Sequence, residues 1–504
     1  MQRLNKQLMA QEQLYDHLPE KIIQFGEGNF LRGFVDWMVH ELNKQGLFNG
    51  RIVAIQPTPH GKVVPKLNAQ DGFYTLVTKG IENEKVIDQA EVITSISRGI
   101  NPYVDWKEVL KVAENPDVQF VFSNTTEAGL TYLKEEYIPE QSPLSYPGKL
   151  TAFLYRRYKV LGDTKDTGMV IMPCELVEDN GELLKEIVLK IAMDWNLPAG
   201  FTTWLKTSNR FCNTLVDRIV TGYPKEGIEE YQQRLGYDDE LLTVGEPYHL
   251  FAIEAPQEVA DAIPFHKAGL NVHWTDVRPF REIKVRILNG AHTLMVPVAF
   301  LSGKDTVLEA MEDPWLRQFI QKGIFQEIFP IVESERSRKQ PFADSVIERF
   351  LNPFNRHFLR DIALNSFYKY KTRLLPTLLE NTVKENQLPQ AITFSLAALI
   401  SLYRGQKTAD NEITCKRGDE VYTLRDQPEV IELLDSLWAR YQGEDLLLQE
   451  LVQQVLAQES WWDKDLNQVP HLTESVYGYL NGILRDGMEK SVIWLLQPER
   501  NFCI

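Results

Sequence analysis

The chain has few cysteines, and this scarcity excludes several protein classes. The four present are Cys174, Cys212, Cys415 and Cys503, and none belongs to a C-x-x-C pair. Sparse, unpaired cysteines are typical of a reducing compartment and argue against a disulfide framework. No cluster of histidines and cysteines has the spacing of a zinc site. We therefore predict that the chain has no structural zinc.

Long apolar runs are absent as well. Residues 1–20 are polar and lack the apolar core of a signal peptide. The apolar stretch 392–402 is too short to cross a bilayer. Together with the unpaired cysteines, these absences predict a protein of the cytoplasm with no membrane partner.

The chain also lacks an excess of positive charge. It has 54 Lys and Arg against 70 Asp and Glu, a net charge of −16. Nucleic acids and anionic membranes favour basic surfaces, so neither is expected as a main partner. A small anionic ligand remains compatible with this balance, because a local cluster of Arg or Lys can lie within an acidic protein.

The order of apolar patterns predicts two domains in these 504 residues. In the first half, the short runs KIIQF at 21–25 and RIVAI at 51–55 flank an amphipathic stretch, which suits a βαβ unit. From about residue 275 the apolar positions recur at helical spacing with few strand signals. We predict an α/β protein with a Rossmann-type N-terminal domain over 1–274 and a mostly α-helical C-terminal domain over 275–504.

The segment after the first predicted strand has the composition of a dinucleotide loop. It reads Gly26, Glu27, Gly28, Asn29, Phe30, Leu31 and Arg32. Glycines permit a tight turn and let the backbone approach a pyrophosphate at a helix N-terminus. Leu31 replaces the third glycine of the usual pattern, so a plain turn without a ligand stays an alternative.

The end of the second predicted strand bears on the choice of dinucleotide. Gln56 stands where an acidic residue usually binds the ribose, and a Gln can also hydrogen-bond a ribose hydroxyl. No Arg follows it to bind a 2′-phosphate. We therefore predict NAD as the cofactor.

A second candidate site lies on the helix predicted over 281–295. At about 100° per residue, Lys284, Asn289 and His292 fall within one half of its surface. A Lys can exchange a proton, an Asn amide can donate to an oxygen, and a His can position a hydroxyl, which suits a carbonyl or alcohol. The alternative is a solvated helix face.

These three residues carry a resemblance to a known family. The spacing K-x-x-x-x-N-x-x-H resembles the signature of the mannitol dehydrogenase family, the polyol-specific long-chain dehydrogenases. The loop at 26–32 is similar to that family's G-x-G-x-F-x-R segment. Residues 70–75 (QDGFYT), 126–129 (TEAG) and 215–219 (LVDRI) resemble further family motifs in the expected order. The similarity runs from about residue 20 to residue 376.

The resemblance implies metal-independent hydride transfer with NAD, Lys284 as general acid and base, and Asn124 and Thr126 in the cofactor site. Mannitol dehydrogenases usually read S-C-D-N where this chain has Pro173 to Leu176. Leu176 cannot hold the reacting oxygen as that Asn does, which leaves Asn289. This departure fits the uronate branch of the family. The resemblance implies D-tagaturonate and D-altronate as the substrate pair. The residues then expected at the substrate are Glu175, Asp217, Arg218, Arg356, His357 and Lys371.

Several alternatives stay open. A fructuronate or a polyol could be the substrate within the same family. A lyase could use Lys284 as a Schiff base, and a silent regulator could bind NAD without turnover. Tyr155-x-x-x-Lys159 with Ser142 upstream has the arrangement of short-chain dehydrogenases, but Pro143 and Pro147 interrupt it. For each candidate Arg or Lys, a structural ion pair is the competing interpretation.

Overall fold

The protein is described as a computed structural model that covers residues 1–9, 15–125, 127–224, 226–354 and 356–497. The chain forms two compact units, Met1–Arg278 and Pro279–Ile504. Within the described ranges, no helix has both the length and the apolar character that crossing a bilayer requires.

The strands of the first unit are β1 Glu20–Phe25, β2 Arg51–Ile55, β3 Tyr74–Glu82, β4 Lys85–Ile93, β5 Ile96–Ile100, β6 Phe120–Ser123, β7 Val170–Pro173, β8 Arg210–Phe211, β9 Thr214–Asp217, β10 Val220–Gly222, β11 Thr243–Gly245, β12 Leu250–Ile253 and β13 Val272–Trp274. Its helices are α1 Asn29–Leu31, α2 Trp37–Lys44, α3 Val63–Ala69, α4 Trp106–Glu114, α5 Tyr146–Leu161, α6 Asn180–Asp194, α7 Ala199–Thr207, α8 Ile228–Leu235 and α9 Gln257–Ala262. A π-helical turn, Arg32–Asp36, joins α1 to α2. Short 3₁₀ turns lie at Lys6–Leu8, Glu127–Gly129, Lys165–Thr167 and Phe265–Ala268.

A six-stranded sheet organises the first unit. Its order is β5-β2-β1-β6-β7-β8, and every neighbouring pair is parallel. Counted within the sheet alone, this is the order 3-2-1-4-5-6 of dinucleotide-binding folds. In such sheets the ligand binds at the carboxyl ends of the strands, where the order reverses. The reversal lies between β1 and β6, so the predicted Rossmann-type fold is confirmed.

The apolar runs explain why these strands are central. Ile22 belongs to the core on one face of the sheet, whereas Ile23 and Phe25 belong to the core on the other. Successive side chains of a strand point to opposite faces, and a parallel sheet is covered on both. The run RIVAI at 51–55, which is apolar at four of its five positions, is therefore buried throughout.

Two smaller sheets complete this unit, in the orders β10-β11-β3-β4 and β13-β12-β9. The pair β3 and β4 is an antiparallel hairpin whose register runs from Tyr74 opposite Ile93 to Glu82 opposite Lys85. Asn83 and Glu84 form its turn with φ values of 50° and 61°. Two-residue hairpin turns with positive φ match the twist of the strands. Simple alternation of strands and helices did not predict this hairpin.

The helices of the second unit are α10 Arg278–Ile283, α11 Gly290–Leu301, α12 Val307–Glu312, α13 Pro314–Lys322, α14 Arg336–Phe350, α15 Leu359–Ile362, α16 Ser366–Arg373, α17 Leu375–Glu385, α18 Gln390–Leu402, α19 Pro428–Arg440, α20 Asp445–Leu456, α21 Glu459–Trp462, α22 Leu472–Asp486 and α23 Met488–Leu496. Two π-helical segments, Lys284–Asn289 and Gly323–Ile328, join α10 to α11 and extend α13. A 3₁₀ turn spans Leu466–Gln468. The prediction of a mostly helical second part is confirmed.

The apolar stretch 392–402 forms the centre of this unit. It belongs to α18, whose residues from Ala391 to Leu402 are all buried, and which packs against α11 and α22. A helix that is apolar on every side is expected in a core.

A three-stranded antiparallel sheet also occurs in this unit, formed by β14 Gly405–Ala409, β15 Glu412–Arg417 and β16 Glu420–Arg425. Sequence analysis did not anticipate it, because the buried Ile413 and Cys415 alternate with period two within an otherwise helical region.

Candidate active site

The loop after β1 is shaped by two close approaches at its glycines. Gly26 has φ of +124°, and a Cβ there would lie 2.9 Å from the carbonyl oxygen of Asn124. A Cβ on Gly33 would lie 2.8 Å from Cγ1 of Val220. Gly33 thus provides the close packing that the third glycine of the usual motif provides, although Leu31 occupies that position. A Cβ on Gly28 would meet nothing within 4 Å, so the space in front of the loop is open.

Arg32 holds this loop from within. Its side chain is buried, Nη1 donates to the carbonyl oxygen of Glu27, and Nη2 donates to Oδ1 of Asn29 at 2.6 Å. Nε donates to Oγ1 of Thr243 at 3.2 Å. The sequence predicted that Arg32 contacts the cofactor, whereas these contacts place it in the scaffold of the loop.

The other predicted loop residues fall into two groups. Leu31 is buried in the core, and Phe30 stacks on Phe34 with ring centroids 4.9 Å apart, so both serve packing. Glu27 is buried within the loop, and burial raises the pKa of its carboxyl to about 7 against the opposing effect of Arg32. A carboxyl with that pKa is largely uncharged just below neutral pH, when it opposes a pyrophosphate least.

Gln56 follows β2 and is fully buried. Its Nε2 donates to the carbonyl oxygen of Thr58 at 2.7 Å. Its Oε1 is buried without a hydrogen-bond partner among the residues that the structure describes. Leaving a buried acceptor unpaired costs about 1–3 kcal/mol. A ribose hydroxyl would satisfy it, so this residue fits the predicted dinucleotide.

Asn124 lies where β1, β6 and β7 end together. Its backbone N–H donates to the carbonyl oxygen of Phe25 at 3.1 Å, and its Nδ2 donates to that of Cys174 at 2.8 Å. It is therefore placed at the predicted cofactor edge of the sheet. Thr126, the other predicted cofactor residue of this segment, lies outside the described residues.

Glu175 braces the same edge. Its carboxylate accepts hydrogen bonds from Oγ of Ser123 at 3.0 Å and from the backbone N–H of Thr125 at 2.9 Å. Burial raises its pKa despite these bonds. The sequence predicted a substrate contact, whereas the contacts of Glu175 are to the adjacent loop. The neighbouring Leu176 is 57% exposed.

Two further predicted substrate residues lie at the end of β9. Arg218 is buried, donates from Nε to the carbonyl oxygen of Glu246 at 2.8 Å and from Nη1 to that of Gly33 at 2.7 Å. Its guanidinium also lies 4.2 Å from the ring centroid of Trp37. These contacts favour the structural interpretation for Arg218. Asp217 is buried at the last position of the strand.

The Tyr155 and Lys159 pair belongs to an aromatic cluster. The Tyr155 ring lies 5.1 Å from Phe201 and 6.0 Å from Tyr137. The ammonium of Lys159 lies 4.6 Å from the centroid of the Tyr155 ring. A cation over a ring face stabilises packing. This geometry argues against a short-chain dehydrogenase site.

The predicted catalytic helix contains a π-helical segment, Lys284–Asn289. The backbone N–H of Gly290 donates to the carbonyl oxygen of Val285, five residues earlier. A π turn holds more residues than an α turn, so positions five apart lie closer to a common side. The segment therefore brings Lys284 and Asn289 nearer to one another around the axis than the α-helical prediction did. Such segments are frequent at functional sites.

The side chains of this segment differ in burial and in hydrogen-bond partners. Lys284 and Asn289 are half-buried, and the amide of Asn289 has no hydrogen-bond partner in the described part of the chain. Arg286 is buried and donates to Glu282 at 2.8 Å, to Thr377 at 2.8 Å and to Glu380 at 2.6 Å. Arg286 is therefore a structural ion-pair residue.

His292 lies one turn further along. Its Nε2 is buried without a hydrogen-bond partner within the described ranges. Its ring centroid is 4.7 Å from that of Phe350 and 4.8 Å from that of His357. Burial holds the pKa of His292 well below its ordinary value, and the positive field of His357 and Arg349 adds to this. A neutral imidazole with a free ring nitrogen can exchange a hydrogen bond with a hydroxyl.

Three cationic side chains lie close enough to this imidazole to lower its pKa. Arg349, Arg373 and Lys369 each lower its pKa. Lys369 and Arg373 are four residues apart in α16 and so share a face of the helix. Burial, together with Arg373, lowers the pKa of Lys369 to about 8. We call Arg349, Lys369 and Arg373 the cationic group.

Two predicted substrate residues have other positions. Lys371 lies between Lys369 and Arg373 in sequence but on another side of the helix, where Nζ is 2.7 Å from Oδ1 of Asp463. The structure thus places its helical neighbours, and not Lys371, beside His292. Arg356 is exposed, next to His357. Sequence analysis missed Arg349 and Lys369, although the i, i+4 spacing of Lys369 and Arg373 was visible.

Among the described residues, one group of His and Glu side chains has the spacing of a metal site: His40, Glu41 and Glu91. The ammonium of Lys44 lies 3.0 Å from Glu41 and 2.5 Å from Glu91. A protein cation therefore already neutralises these carboxylates.

Models of a known protein family match both parts of the chain. A family model described as the mannitol dehydrogenase Rossmann domain matches residues 20–267, and one described as the mannitol dehydrogenase C-terminal domain matches residues 276–484. The chain belongs to the mannitol dehydrogenase family. Family membership confirms the predicted enzyme class: the chain is an NAD-dependent dehydrogenase of polyols or sugar acids.

Curated relatives within the mannitol dehydrogenase family match almost the whole chain. The altronate oxidoreductase of Halalkalibacterium halodurans is 50% identical over 95% of this chain and 94% of its own length. That of Klebsiella pneumoniae is 44% identical over 94% of this chain and 96% of its own length.

Solved structures agree in fold. A D-sorbitol dehydrogenase in substrate-free form has a TM-score of 0.79 at 21% identity, covering 97% of this chain and 100% of its own. The Pseudomonas fluorescens mannitol 2-dehydrogenase, solved with NAD and D-mannitol, has a TM-score of 0.69 at 20% identity, covering 98% of this chain and 99% of its own.

Proposed function

We propose that this dehydrogenase interconverts D-tagaturonate and D-altronate with NAD, using Lys284 as the general acid and base. The observation that carries the proposal is the cationic group beside the unpartnered Nε2 of His292. Relatives named altronate oxidoreductase, 43–50% identical over nearly the whole chain, support the same substrate pair. We also propose that the enzyme acts in the cytoplasm, which suits the buried free thiols of Cys174, Cys212 and Cys415.

The catalytic roles follow from the chemistry of each side chain. In reduction, the ammonium of Lys284 donates a proton to the carbonyl oxygen while the carbonyl carbon receives hydride. In oxidation, neutral Lys284 accepts the hydroxyl proton. The Asn289 amide donates a hydrogen bond to the same oxygen and stabilises the charge that develops there. Nε2 of neutral His292 exchanges a hydrogen bond with a neighbouring hydroxyl of the sugar.

NAD supplies or accepts the hydride when bound. The backbone of residues 26–29 and the carboxamide of Gln56 would hold it, because the loop is open at Gly28 and Gln56 keeps a buried acceptor unpaired. Arg32 and Glu175 orient this loop and the adjacent strand ends through their hydrogen bonds to Asn29 and Thr125.

The cationic group favours a sugar acid over a neutral polyol. A uronate carries a carboxylate, and charge-assisted hydrogen bonds from Lys or Arg to a carboxylate are about twice as strong as neutral ones. A neutral polyol has no carboxylate, so it cannot form these charge-assisted hydrogen bonds with the cationic group. Leu176 supports the same choice, since it cannot supply the amide that the mannitol dehydrogenase motif carries at its position.

The test is to follow NADH absorbance with D-tagaturonate, D-fructuronate and D-fructose in parallel. We expect the fastest turnover with tagaturonate and the slowest with fructose, which lacks the carboxylate. Lys284→Ala should lower kcat by about 10²–10⁴. Lys371→Ala is the matched control and should keep the wild-type rate, because Lys371 pairs with Asp463.

Two results would overturn the proposal. A preference for fructose or fructuronate would keep the family and refute the substrate. Full activity of Lys284→Ala would refute the role of the lysine. Trapping of a keto-sugar adduct on Lys284 by borohydride would instead support Schiff-base chemistry.

A further inference from the structure

The turn that follows β2, residues 56–61, is anchored at two backbone carbonyls. Gln56 donates from Nε2 to the carbonyl oxygen of Thr58 at 2.7 Å, and the Tyr103 hydroxyl donates to that of Pro57 at 2.9 Å. The turn also folds closely over Gln56, since a Cβ on Gly61 would lie 2.7 Å from Cδ of Gln56. Its shape therefore determines what can reach the unpaired Oε1 of Gln56.

The Tyr103 hydroxyl is hydrogen-bonded to a buried lysine, Lys149. Nζ of Lys149, on α5, donates to the Tyr103 hydroxyl at 3.0 Å and to the carbonyl oxygen of Leu144 at 2.7 Å. It also lies 4.7 Å from the centroid of the Tyr103 ring. The Lys149 side chain is fully buried, and burial lowers its pKa to about 8.

Protonation of Lys149 fixes the direction of each hydrogen bond in this series. The ammonium of Lys149 can only donate, so the Tyr103 oxygen accepts from it and the Tyr103 proton is directed to Pro57. Chains of hydrogen bonds of this kind strengthen one another in a low-dielectric interior. A buried ammonium is costly, and a fully buried Lys is rare unless it is paired. If residue 149 only filled space in the core, an apolar side chain would serve as well as a lysine.

The position of the turn in the sheet indicates what the hydrogen bonds from Lys149 through Tyr103 to Pro57 are for. Tyr103 follows β5, which is the neighbour of β2 in the sheet. In sheets of this order, the residue at the carboxyl end of the second strand meets the adenosine ribose. We propose that Tyr103 and Lys149 are positioning residues that hold the turn 56–61 in the shape that receives the adenosine half of NAD. The inference rests on dinucleotide binding by the first unit and not on the identity of the sugar acid.

The test is Tyr103→Phe, measured by calorimetric titration with ADP-ribose and with NADH. Removing the hydroxyl frees the Pro57 carbonyl and takes one acceptor from Lys149. We expect the Kd for both ligands to rise by the same factor, about 2- to 12-fold, which is the range for loss of one hydrogen bond. At saturating NADH, kcat should stay at the wild-type value.

Tyr132→Phe is the matched control. The Tyr132 hydroxyl donates to Oδ2 of Asp194 at 2.6 Å, in the same unit and on the surface, so ADP-ribose affinity should not change. Lys149→Met provides a second measurement. Its effect and that of Tyr103→Phe should be non-additive, because the two residues act through one hydrogen bond to Pro57.

The outcomes separate this inference from the proposed function. Wild-type affinity for ADP-ribose in Tyr103→Phe overturns the inference. So does a loss of kcat equal to the loss of affinity, which would indicate a merely structural role. A wild-type enzyme that binds ADP-ribose but leaves tagaturonate unreduced refutes the proposed substrate and does not affect the inference.

Discussion

The imidazole rings of His292 and His357 lie edge to face with their centroids 4.8 Å apart. Burial lowers the pKa of both rings. Two histidines this close would repel each other if both were protonated, so the pair is stable only while at least one ring is neutral. The neutral form is also the one in which His292 offers a lone pair or a proton to a sugar hydroxyl.

This arrangement predicts a loss of stability in acid. The folded-state pKa of His292 is depressed, so the unfolded chain binds more protons than the folded one below about pH 6.5. The contribution is present above that pH and is lost as the pH falls towards the depressed folded value. In urea unfolding, this contribution of His292 lowers the free energy of unfolding at pH 5.5 relative to pH 7.5, whereas the raised pKa of Glu27 acts in the opposite direction.

His292→Asn removes the contribution of His292, because Asn does not titrate, and should therefore raise the free energy of unfolding at pH 5.5 relative to that at pH 7.5 when compared with the wild type. His471→Asn, at an exposed position, is the control and should leave the pH dependence as it is in the wild type. The same His292→Asn variant should lose about tenfold in kcat/KM for tagaturonate through one hydroxyl contact. An unchanged kcat/KM would exclude His292 from substrate binding.

The cationic group predicts a charge-selective variant. Arg373→Ala should raise KM for tagaturonate by about 10- to 100-fold, the value of a hydrogen bond to a charged group. A neutral polyol should be affected far less, because it has no carboxylate to lose. Initial rates with both substrates, beside Lys371→Ala, provide the comparison. Equal effects on the acid and the polyol would contradict the proposed carboxylate contact.

Glu27 predicts a pH dependence of cofactor affinity. Its carboxyl has a pKa of about 7, so it gains a negative charge as the pH rises through neutrality. A like charge near the pyrophosphate costs ~1 kcal/mol or more, which is about fivefold in Kd. The Kd for NADH should therefore rise between pH 6 and pH 8. In Glu27→Gln that rise should disappear, and a slope equal to the wild type would exclude Glu27 as its source.

Gly33 predicts a rescue experiment. Gly33→Ala places a methyl group 2.8 Å from Cγ1 of Val220, and overpacking of this kind costs about 1–3 kcal/mol. The variant should have a lower Tm and bind NADH more weakly. A backbone shift that relieves the contact would also disturb the hydrogen bond that the carbonyl oxygen of residue 33 accepts from Arg218. Adding Val220→Ala removes the obstructing methyl groups and should restore both properties. Failure of the double variant to recover would mean that the glycine is needed for another reason.

The fold was predictable because its signals are local. The runs at 21–25 and 51–55 place consecutive apolar residues on both faces of a strand, which a strand covered on both faces requires. Glycines directly after the first run marked the loop, and the spacing of Lys284, Asn289 and His292 marked the second site. Each of these inferences used residues close together in sequence.

The contacts that the sequence did not predict involve distant partners. Arg32 meets Thr243 and Arg218 meets Gly33, contacts that span 211 and 185 residues. No pattern in the sequence tells a scaffold arginine from one that binds a ligand. The choice between Lys369 and Lys371 likewise requires knowing which face of α16 is buried, and that is set by packing. The pleated sheet β14 to β16 was missed because a period of two over six residues is a weak signal.

The π segment at Lys284–Asn289 has a consequence for how this enzyme can vary. An α-helix becomes π-helical when it accommodates one extra residue, so the segment is equivalent to a single-residue insertion kept inside a helix. Removing one residue between Lys284 and Asn289 would let the helix relax to ordinary α geometry and gain a regular hydrogen bond. The lysine would then lie four positions before the amide residue, about 40° from it around the axis, so both would still share one face. Shortening this helix by one residue should therefore give a more stable protein that keeps the lysine and the amide on the same side.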